Sequence, residues 1–257
     1  MSKSSVLWLA LAGVFVSHAV QAQFATEVIS YTPGAGYSLG FTNPATVLGE
    51  PSREVPGPFG GPIDPFNPPY LNTQLLSLGS GGALTVKFER PILNHPRNRF
   101  GIDFIIYHNS GFIITNAFDP VTFDWIGTPA TDGSLFGQNP GLTRVSVSAD
   151  GEHFYMLDPA RAPVVDHLLP TEGAGDFHIP ADPTLTQLDF AGLTLAGMRA
   201  LYLGSAGGAG FDLAWALDAA GNRVVLPRVS YVRIEVLSGK SEVDGLAAVF
   251  NPPGLAR

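Results

Sequence analysis

Short apolar runs, some continuous and some alternating with polar residues, are separated along this chain by turns rich in Gly and Pro. Runs of about 4–8 residues bounded by such turns predict β-strands. The run 100–107 (FGIDFIIY) is apolar apart from Asp103 and predicts a strand buried on both faces. The predicted strands are residues 25–31, 74–78, 83–88, 100–107, 143–149, 153–157 and 229–236, and a last strand carrying Glu242 and Asp244.

Two of the predicted turns join strands that are neighbours in the sequence. The sequence Gly-Ser-Gly-Gly at 79–82 separates the second strand from the third, and Asp150-Gly151 separates the fifth from the sixth. Both predict β-hairpins, because Gly readily adopts the positive φ that tight turns require.

Helical spacing is found at residues 193–203, where Thr194 is the predicted N-cap and Leu195, Met198 and Leu201 fall on one face. Residues 33–72, 110–140 and 158–183 predict long loops, the first of them dense in Pro and Gly, which interrupt strands and helices. The fold class predicted from these elements is all-β: a single jelly-roll β-sandwich with long Pro/Gly-rich loops and one short helix. The apolar run FDLAWAL places Trp215 in its core.

The composition is compatible with one large β domain and excludes several kinds of reactive or metal-binding site. The chain has 257 residues, 45% hydrophobic and 14% charged, with 30 Gly and 22 Pro. It has no cysteine, which excludes disulfides, thiol nucleophiles and Cys-ligated zinc. The net charge is −8 without a basic patch, so we expect no nucleic acid partner, whereas the acidity is compatible with a bound hard cation.

Residues 1–22 have the pattern of a cleaved secretory signal. Lys3 gives a positive start, residues 6–16 are apolar, and Val20-Gln21-Ala22 ends in the small residues of a cleavage site. The apolar run of about 11 residues is too short to cross a bilayer. We therefore expect a secreted or cell-surface protein whose mature domain, residues 23–257, has no membrane span and no C-terminal hydrophobic anchor.

A family resemblance is carried by the strings YTPGAG, FTNPATVLGEP, FGIDFIIYHN, VSVSADGEHFY and GGAGFDLAWALD. This succession resembles a group of exported bacterial proteins, some with a C-terminal sorting segment of the PEP-CTERM kind. The closing sequence, YVRI followed by EVDGLAAV, is similar to the last strands of galactose-binding-like sandwiches, which include discoidin-like and carbohydrate-binding modules. The resemblance implies a β-sandwich and, as in many such modules, a structural calcium ion.

A cation site is the first candidate for chemistry. Calcium binds about 6–8 oxygen ligands, and a carboxylate in an apolar strand is costly unless it is paired, hydrogen-bonded or bound to metal. Glu242 and Asp244 are two residues apart on a predicted strand, so we expect them on one face. The other interpretation is that each carboxylate caps a turn or accepts backbone amides. The candidate ligands are Asp103, Asp212, Asp218, Glu242 and Asp244, with Asn109 as an amide ligand.

An aromatic platform for a sugar is the second candidate. Trp125, beside Asp124 and Phe123 in an irregular loop, combines a stacking surface with a hydrogen-bonding carboxylate. The other interpretation is that these aromatic side chains fasten their own loops to the core. Further candidates for ligand binding are Tyr70, Phe66, Asn67 and Asn72 in the first loop, and His108 and Asn109 at the end of a strand.

Catalysis has no motif of its own in this sequence. There is no His-Glu-x-x-His zinc motif and no Gly-x-Ser-x-Gly elbow, and Ser110, two residues after His108, makes no triad by spacing alone. The sequence therefore predicts a secreted, non-catalytic binding protein for extracellular carbohydrate or another surface polymer. The alternatives are a structural or interaction protein of the envelope or matrix and a glycan-active hydrolase or lyase, for which two carboxylates suffice.

Overall fold

The computed structural model describes residues 23–58, 60–136, 141–166 and 168–249, so the predicted signal segment lies outside it. The helices are α1 (Gln187–Phe190) and α2 (Leu195–Tyr202), and short 3-10 turns span Pro44–Val47, Arg99–Gly101 and Leu213–Trp215. The strands are β1 (Glu27–Thr32), β2 (Glu54–Val55), β3 (Gly61–Pro62), β4 (Leu76–Gly79), β5 (Ala83–Leu93), β6 (Phe104–His108), β7 (Gly111–Phe112), β8 (Phe118–Asp119), β9 (Asp124–Trp125), β10 (Leu135–Phe136), β11 (Leu142–Ser148), β12 (Tyr155–Leu157), β13 (Ala209–Phe211), β14 (Ala216–Leu217), β15 (Arg228–Ser238) and β16 (Lys240–Ala248).

Two antiparallel sheets make up the sandwich. The larger has the order β1-β5-β15-β11-β12-β14, and the smaller has the order β13-β6-β16-β4. Apolar residues from both sheets form one shared core, as expected when alternate side chains of each sheet point inward. The predicted all-β class is confirmed, while the jelly-roll connection pattern stays a prediction.

Strand β6 is buried on both faces, as its unbroken apolar run predicts. Phe104 and Ile106 belong to the core between the sheets. Ile105 and Tyr107 point the other way, into a second cluster with Phe177 from a long loop. That loop therefore covers the outer face of the smaller sheet.

The predicted hairpin at residues 79–82 is wrong. Here the chain leaves β4 in the smaller sheet and enters β5 in the larger one, so the two strands do not pair. The glycines permit close backbone packing: a Cβ at Gly79 would lie 2.2 Å from the carbonyl oxygen of Ala35. The second predicted hairpin is confirmed, with Ser146 opposite Met156 in the β11–β12 pair.

The predicted helix is confirmed as α2, whose N-cap Thr194 accepts a hydrogen bond from the Gly197 amide. Met198 and Tyr202 are buried in a third apolar cluster, together with Phe190 of the four-residue α1. Trp215, predicted to be core, packs against two apolar clusters but is only half-buried. Within the described residues, no helix is long and apolar enough to cross a membrane.

Candidate functional site

A small β-hairpin carries the most exposed aromatic residues of the second long loop. Strands β8 and β9 pair with Phe118 opposite Trp125 and Asp119 opposite Asp124. The loop 120–123 closes the hairpin, and the Phe123 amide donates to the Asp119 carbonyl at 2.9 Å. We call residues 118–125 the aromatic hairpin.

Phe123, the last residue of that loop, has a backbone conformation that is unusual for its type. Its φ is +59°, in the left-handed region that four-residue loops often reach at their last residue but usually fill with Gly or Asn. Its side chain is also 83% exposed. A bulky aromatic residue thus occupies a strained position without the compensation of burial.

Edge-to-face contacts join the three rings of the hairpin. The Phe118 centroid lies 5.6 Å from that of Phe123, with an interplanar angle of 82°, and 5.3 Å from that of Trp125, at 72°. Such pairs contribute about 0.5–1.5 kcal/mol each beyond burial. Phe118 therefore orients both neighbours, and Trp125 remains half-exposed beside the open Phe123 ring.

The base of the hairpin is held by Asn116. Its Nδ2 donates to the carbonyl oxygens of Ile126 at 3.0 Å and Thr128 at 3.1 Å, and its Oδ1 accepts from the Ala130 amide at 2.7 Å. Ala130 in turn forms a β-bridge with Thr194, the N-cap of α2. These contacts connect the aromatic hairpin to the body of the domain, so the rings project from a fixed base.

Two carboxylates lie opposite each other next to the loop that closes the hairpin. Asp119 Oδ1 accepts from the Val121 amide at 2.8 Å, and this bond, together with hydrogen bonds from Thr122, lowers the pKa of Asp119. Asp124 is exposed on the paired strand. Asp119 is therefore an ionised acceptor at neutral pH, the opposite of the general acid that glycoside hydrolysis requires.

The candidates in the first loop are less accessible than the hairpin. Asn67 donates from Nδ2 to the Pro62 carbonyl at 2.9 Å, and its amide donates to Asp64 Oδ1 at 3.0 Å, so Asn67 stabilises its own turn. Phe66 packs against the apolar cluster around α2. Tyr70 remains 44% exposed. Asn67 thus bonds within its own loop and Phe66 packs near α2, whereas Trp125 contacts Phe118 in the aromatic hairpin.

His108, which the sequence predicts to bind a ligand, is buried in the smaller sheet. The β6 strand lies between β13 and β16, and His108 is 0% exposed. Its Nδ1 is 3.0 Å from the hydroxyl of Ser110, which is equally inaccessible to a substrate. Asn109 is half-buried and donates to Glu242, so it bonds a buried carboxylate of its own chain.

The carboxylates predicted to share a cation each have their own protein partners. Glu242 pairs with Lys240 at 3.1 Å. Asp212 and Asp218 accept from nearby backbone amides, as turn-capping residues do. The pKa of Asp218 is accordingly lowered, by bonds from Asn222, whereas burial raises the pKa of Asp212. These three residues fit the capping or pairing interpretation of their sequence positions.

Asp103 and Asp244 are the two most buried of the set. Burial and, to a smaller extent, nearby Asp212 raise the pKa of Asp103 to about 6 despite hydrogen bonds from Leu213, His95 and Asn98. Burial raises the pKa of Asp244 to about 7 despite bonds from the amide and hydroxyl of one serine. These values show that neither site offers a strong positive charge to its carboxylate.

The five residues do not come together in one group. The strand register slips between Val243 and Gly245, so Glu242 precedes this irregularity and Asp244 lies in it, and the two have separate partners. Asp103 and Asp212 do lie close enough to affect each other's pKa. Across residues 23–58, 60–136, 141–166 and 168–249, no group of three or more His, Asp or Glu side chains is arranged to hold a metal ion.

The sequence located Trp125 and Asp124 but missed what makes their hairpin distinctive. A Phe does not usually indicate a positive φ, so the conformation of Phe123 could not be predicted from its residue type. The contacts by which Phe118 orients its neighbours have no sequence signal either. The dipeptide Asp119-Pro120, which is followed by the β-branched Val121 and Thr122, is the signal for a turn that the sequence offers here.

Comparison with known proteins adds a distant likeness. No protein-family model matches the chain, and the curated proteins contain no match to it. One solved structure to which the chain is similar is described as a pectin binding carbohydrate binding module. The two share 10% sequence identity over 90% of this chain and 96% of that chain, with a TM-score of 0.29. So low a score leaves the ligand of this chain to be inferred from its own residues.

Proposed function

We propose that this protein is an exported, non-catalytic binding protein that holds an extracellular carbohydrate against the aromatic hairpin. The observation that carries the proposal is Phe123, which is strained at φ +59° and yet 83% exposed. Strain of this kind is found where the surrounding structure maintains it for a function.

The energetics of Phe123 favour a partner outside the chain. A left-handed conformation costs a non-Gly residue about 1–2 kcal/mol, and a single edge-to-face contact with Phe118 returns about 0.5–1.5 kcal/mol. A glycine at this position would remove the strain and expose less apolar surface. The Phe123 ring therefore contributes most when a ligand covers it.

The chemistry around the ring favours a sugar. Aromatic faces stack on the apolar faces of pyranose rings, while carboxylates accept hydrogen bonds from sugar hydroxyls. The aromatic hairpin carries both, because Trp125 pairs with Phe118 and the carboxylates Asp119 and Asp124 form the next pair of the same ladder. The lowered pKa of Asp119 keeps that acceptor ionised.

A second candidate function is a structural or interaction protein of the envelope or matrix. It is favoured by two aliphatic side chains near the rings, Val121 and Ile126, which are 89% and 61% exposed. Apolar side chains grouped on a projecting element are typical of protein docking surfaces. Export and a structural calcium ion stay predictions from the sequence, and the proposed binding mode does not depend on calcium.

The test is a glycan panel probed with the wild-type chain and with Trp125→Ala and Phe123→Ala. Covering one aromatic side chain is worth about 1.5–3 kcal/mol, so each variant should bind at least about tenfold more weakly. Phe100→Ala is the matched control, because Phe100 also has φ +59° and is 44% exposed but lies outside the hairpin. Binding that both hairpin variants retain, or no glycan binding at all, contradicts the proposal and favours the second candidate.

A further inference from the structure

A cleft of about 140 Å³ lies at the edge of the smaller sheet and shares no residue with the aromatic hairpin. We call it the Trp215 cleft. Its floor includes Ile105 of β6 and Leu169 of the loop that covers this sheet, and prolines such as Pro163 and Pro183 form its walls. An apolar cavity of about 150 Å³ is large enough for a six-membered ring. The size and lining of the cleft thus suit the apolar face of one six-membered ring.

Two side chains give this cleft a specific character. Trp215 contributes a half-buried indole, and Arg161 is the one charged residue among the described residues that line it. The backbone holds the two segments together, since the Asp158 amide donates to the Trp215 carbonyl at 2.9 Å and the Arg161 amide donates to the Asp158 carbonyl at 2.9 Å. The backbone therefore brings an aromatic residue and an arginine to one opening.

The Arg161 guanidinium is available to a ligand. Within the described part of the chain it forms no ion pair, whereas Arg144 and Arg199 are paired with glutamates. Arg161 lowers the pKa of the nearby Asp212, against the larger, opposite effect of burial. Asp212 already accepts a hydrogen bond from the Ala214 amide at 2.7 Å. The fork of donors on Arg161 is thus free to meet a carboxylate.

We propose that the Trp215 cleft binds a carboxylate-bearing pyranose, that is, one hexuronic acid unit. The apolar face of the sugar ring stacks on Trp215, and the carboxylate receives paired hydrogen bonds from Arg161. The absence of acidic side chains among the lining residues removes the repulsion that the overall charge of −8 would otherwise impose at this point. The site is independent of the aromatic hairpin and stands whether or not the hairpin binds a glycan.

Indole N–H signals in the ¹⁵N-labelled full chain test the proposal, with Trp215→Phe and Trp125→Phe used to assign them. Glucuronate and galacturonate should shift the Trp215 signal and leave the Trp125 signal in place. Glucose and galactose should bind the Trp215 cleft at least about tenfold more weakly than the two acids, because they lack the carboxylate that forms the charge-assisted bond. Arg161→Gln should remove the preference for the acids, whereas Arg97→Gln, at an exposed arginine outside the cleft, should not.

The possible results distinguish failure of the Trp215 cleft from failure of the function proposed for the aromatic hairpin. An unmoved Trp215 signal in excess uronate overturns the proposal, and so does equal binding of neutral and acidic sugars. A uronate preference that survives Arg161→Gln also overturns it. A shift of the Trp125 signal alone leaves the function proposed for the aromatic hairpin intact while removing the cleft. If no glycan binds the aromatic hairpin but the Trp215 signal responds to uronate, the proposal for the cleft stands and the function proposed for the hairpin fails.

Discussion

Asp244 lies at the irregularity of β16 and is only 2% exposed. Its carboxylate accepts hydrogen bonds from the Ser52 amide at 2.8 Å and the Ser52 hydroxyl at 2.7 Å. Burial raises its pKa from 3.8 to about 7, and the two bonds only reduce that rise. We predict that this one group makes the folded state less stable as the pH rises from about 4 to about 7.

The sign follows from proton binding. Between about pH 4 and pH 7 the folded state keeps the Asp244 proton and the unfolded state has released it, so the free energy of unfolding falls by about 1.4 kcal/mol per pH unit. Over the whole interval the loss is about 4 kcal/mol. The stabilisation is complete below the unfolded pKa and is lost as the pH passes the folded pKa. Asp103, with a pKa of about 6, adds a similar fall over a narrower interval.

Asp244→Asn isolates the contribution of this carboxylate. An asparagine fits the same contacts, since its oxygen accepts from the Ser52 amide and its Nδ2 donates to the Ser52 hydroxyl. The assay is urea denaturation of both chains at several pH values from about 4.5 to about 7.5. The variant should gain stability relative to wild type as the pH rises, by about 3–4 kcal/mol across the range.

Asp218→Asn is the control for this series. Asp218 is a turn residue whose pKa is lowered by bonds from Asn222, so it is ionised in both states across the range, and its effect on stability should not vary with pH. A difference between wild type and Asp244→Asn that stays constant from pH 4.5 to 7.5, within about 0.5 kcal/mol, would refute the reasoning.

Three further predictions concern the elements that position the hairpin and the sheets. Gly79→Ala should cost more than Gly81→Ala in urea denaturation, because a Cβ at Gly79 meets a backbone oxygen at 2.2 Å, whereas a Cβ at Gly81 meets nothing within 4 Å and costs only the strain of its φ of +75°, about 1–2 kcal/mol; equal costs would contradict this. Asn116→Ala should speed hydrogen exchange in residues 118–125 while leaving exchange in the central strands unchanged, and uniform exchange changes would count against a local role. Thr194→Ala should lower the free energy of unfolding by about 1 kcal/mol, measured by thermal denaturation, through loss of the α2 cap; an unchanged midpoint would show that the cap contributes nothing.

Local pattern predicted much of the fold because the strands have strong periodicity. The two-face burial of β6 follows from its apolar run, and α2 follows from its spacing and from Thr194. The turn at residues 79–82 was misassigned because glycines that serve close packing between segments resemble glycines that serve a hairpin. Which sheet a strand joins depends on contacts with distant parts of the chain, and these leave no local signal.

The candidate site shows the same division between local and distant causes. Residue type pointed to Trp125 and Asp124, but the strain at Phe123 depends on a backbone conformation that its residue type does not signal. Burial of His108 in a central strand could not be read from its sequence neighbours, and neither could the separate partners of Glu242 and Asp244. A carboxylate in an apolar strand indicates that it needs a bonding partner, but the sequence does not identify that partner.

The most direct measurement of the proposed function compares Phe123→Gly with wild type in calorimetric titration against a glycan that the wild-type chain binds. The substitution removes the ring and relieves the strain, so it should raise the free energy of unfolding by up to about 1 kcal/mol while weakening glycan binding at least about tenfold. Phe100→Gly, at a residue with the same φ of +59°, should gain stability and keep its affinity. A Phe123→Gly chain that binds as tightly as wild type would contradict the assignment of the aromatic hairpin as the carbohydrate site.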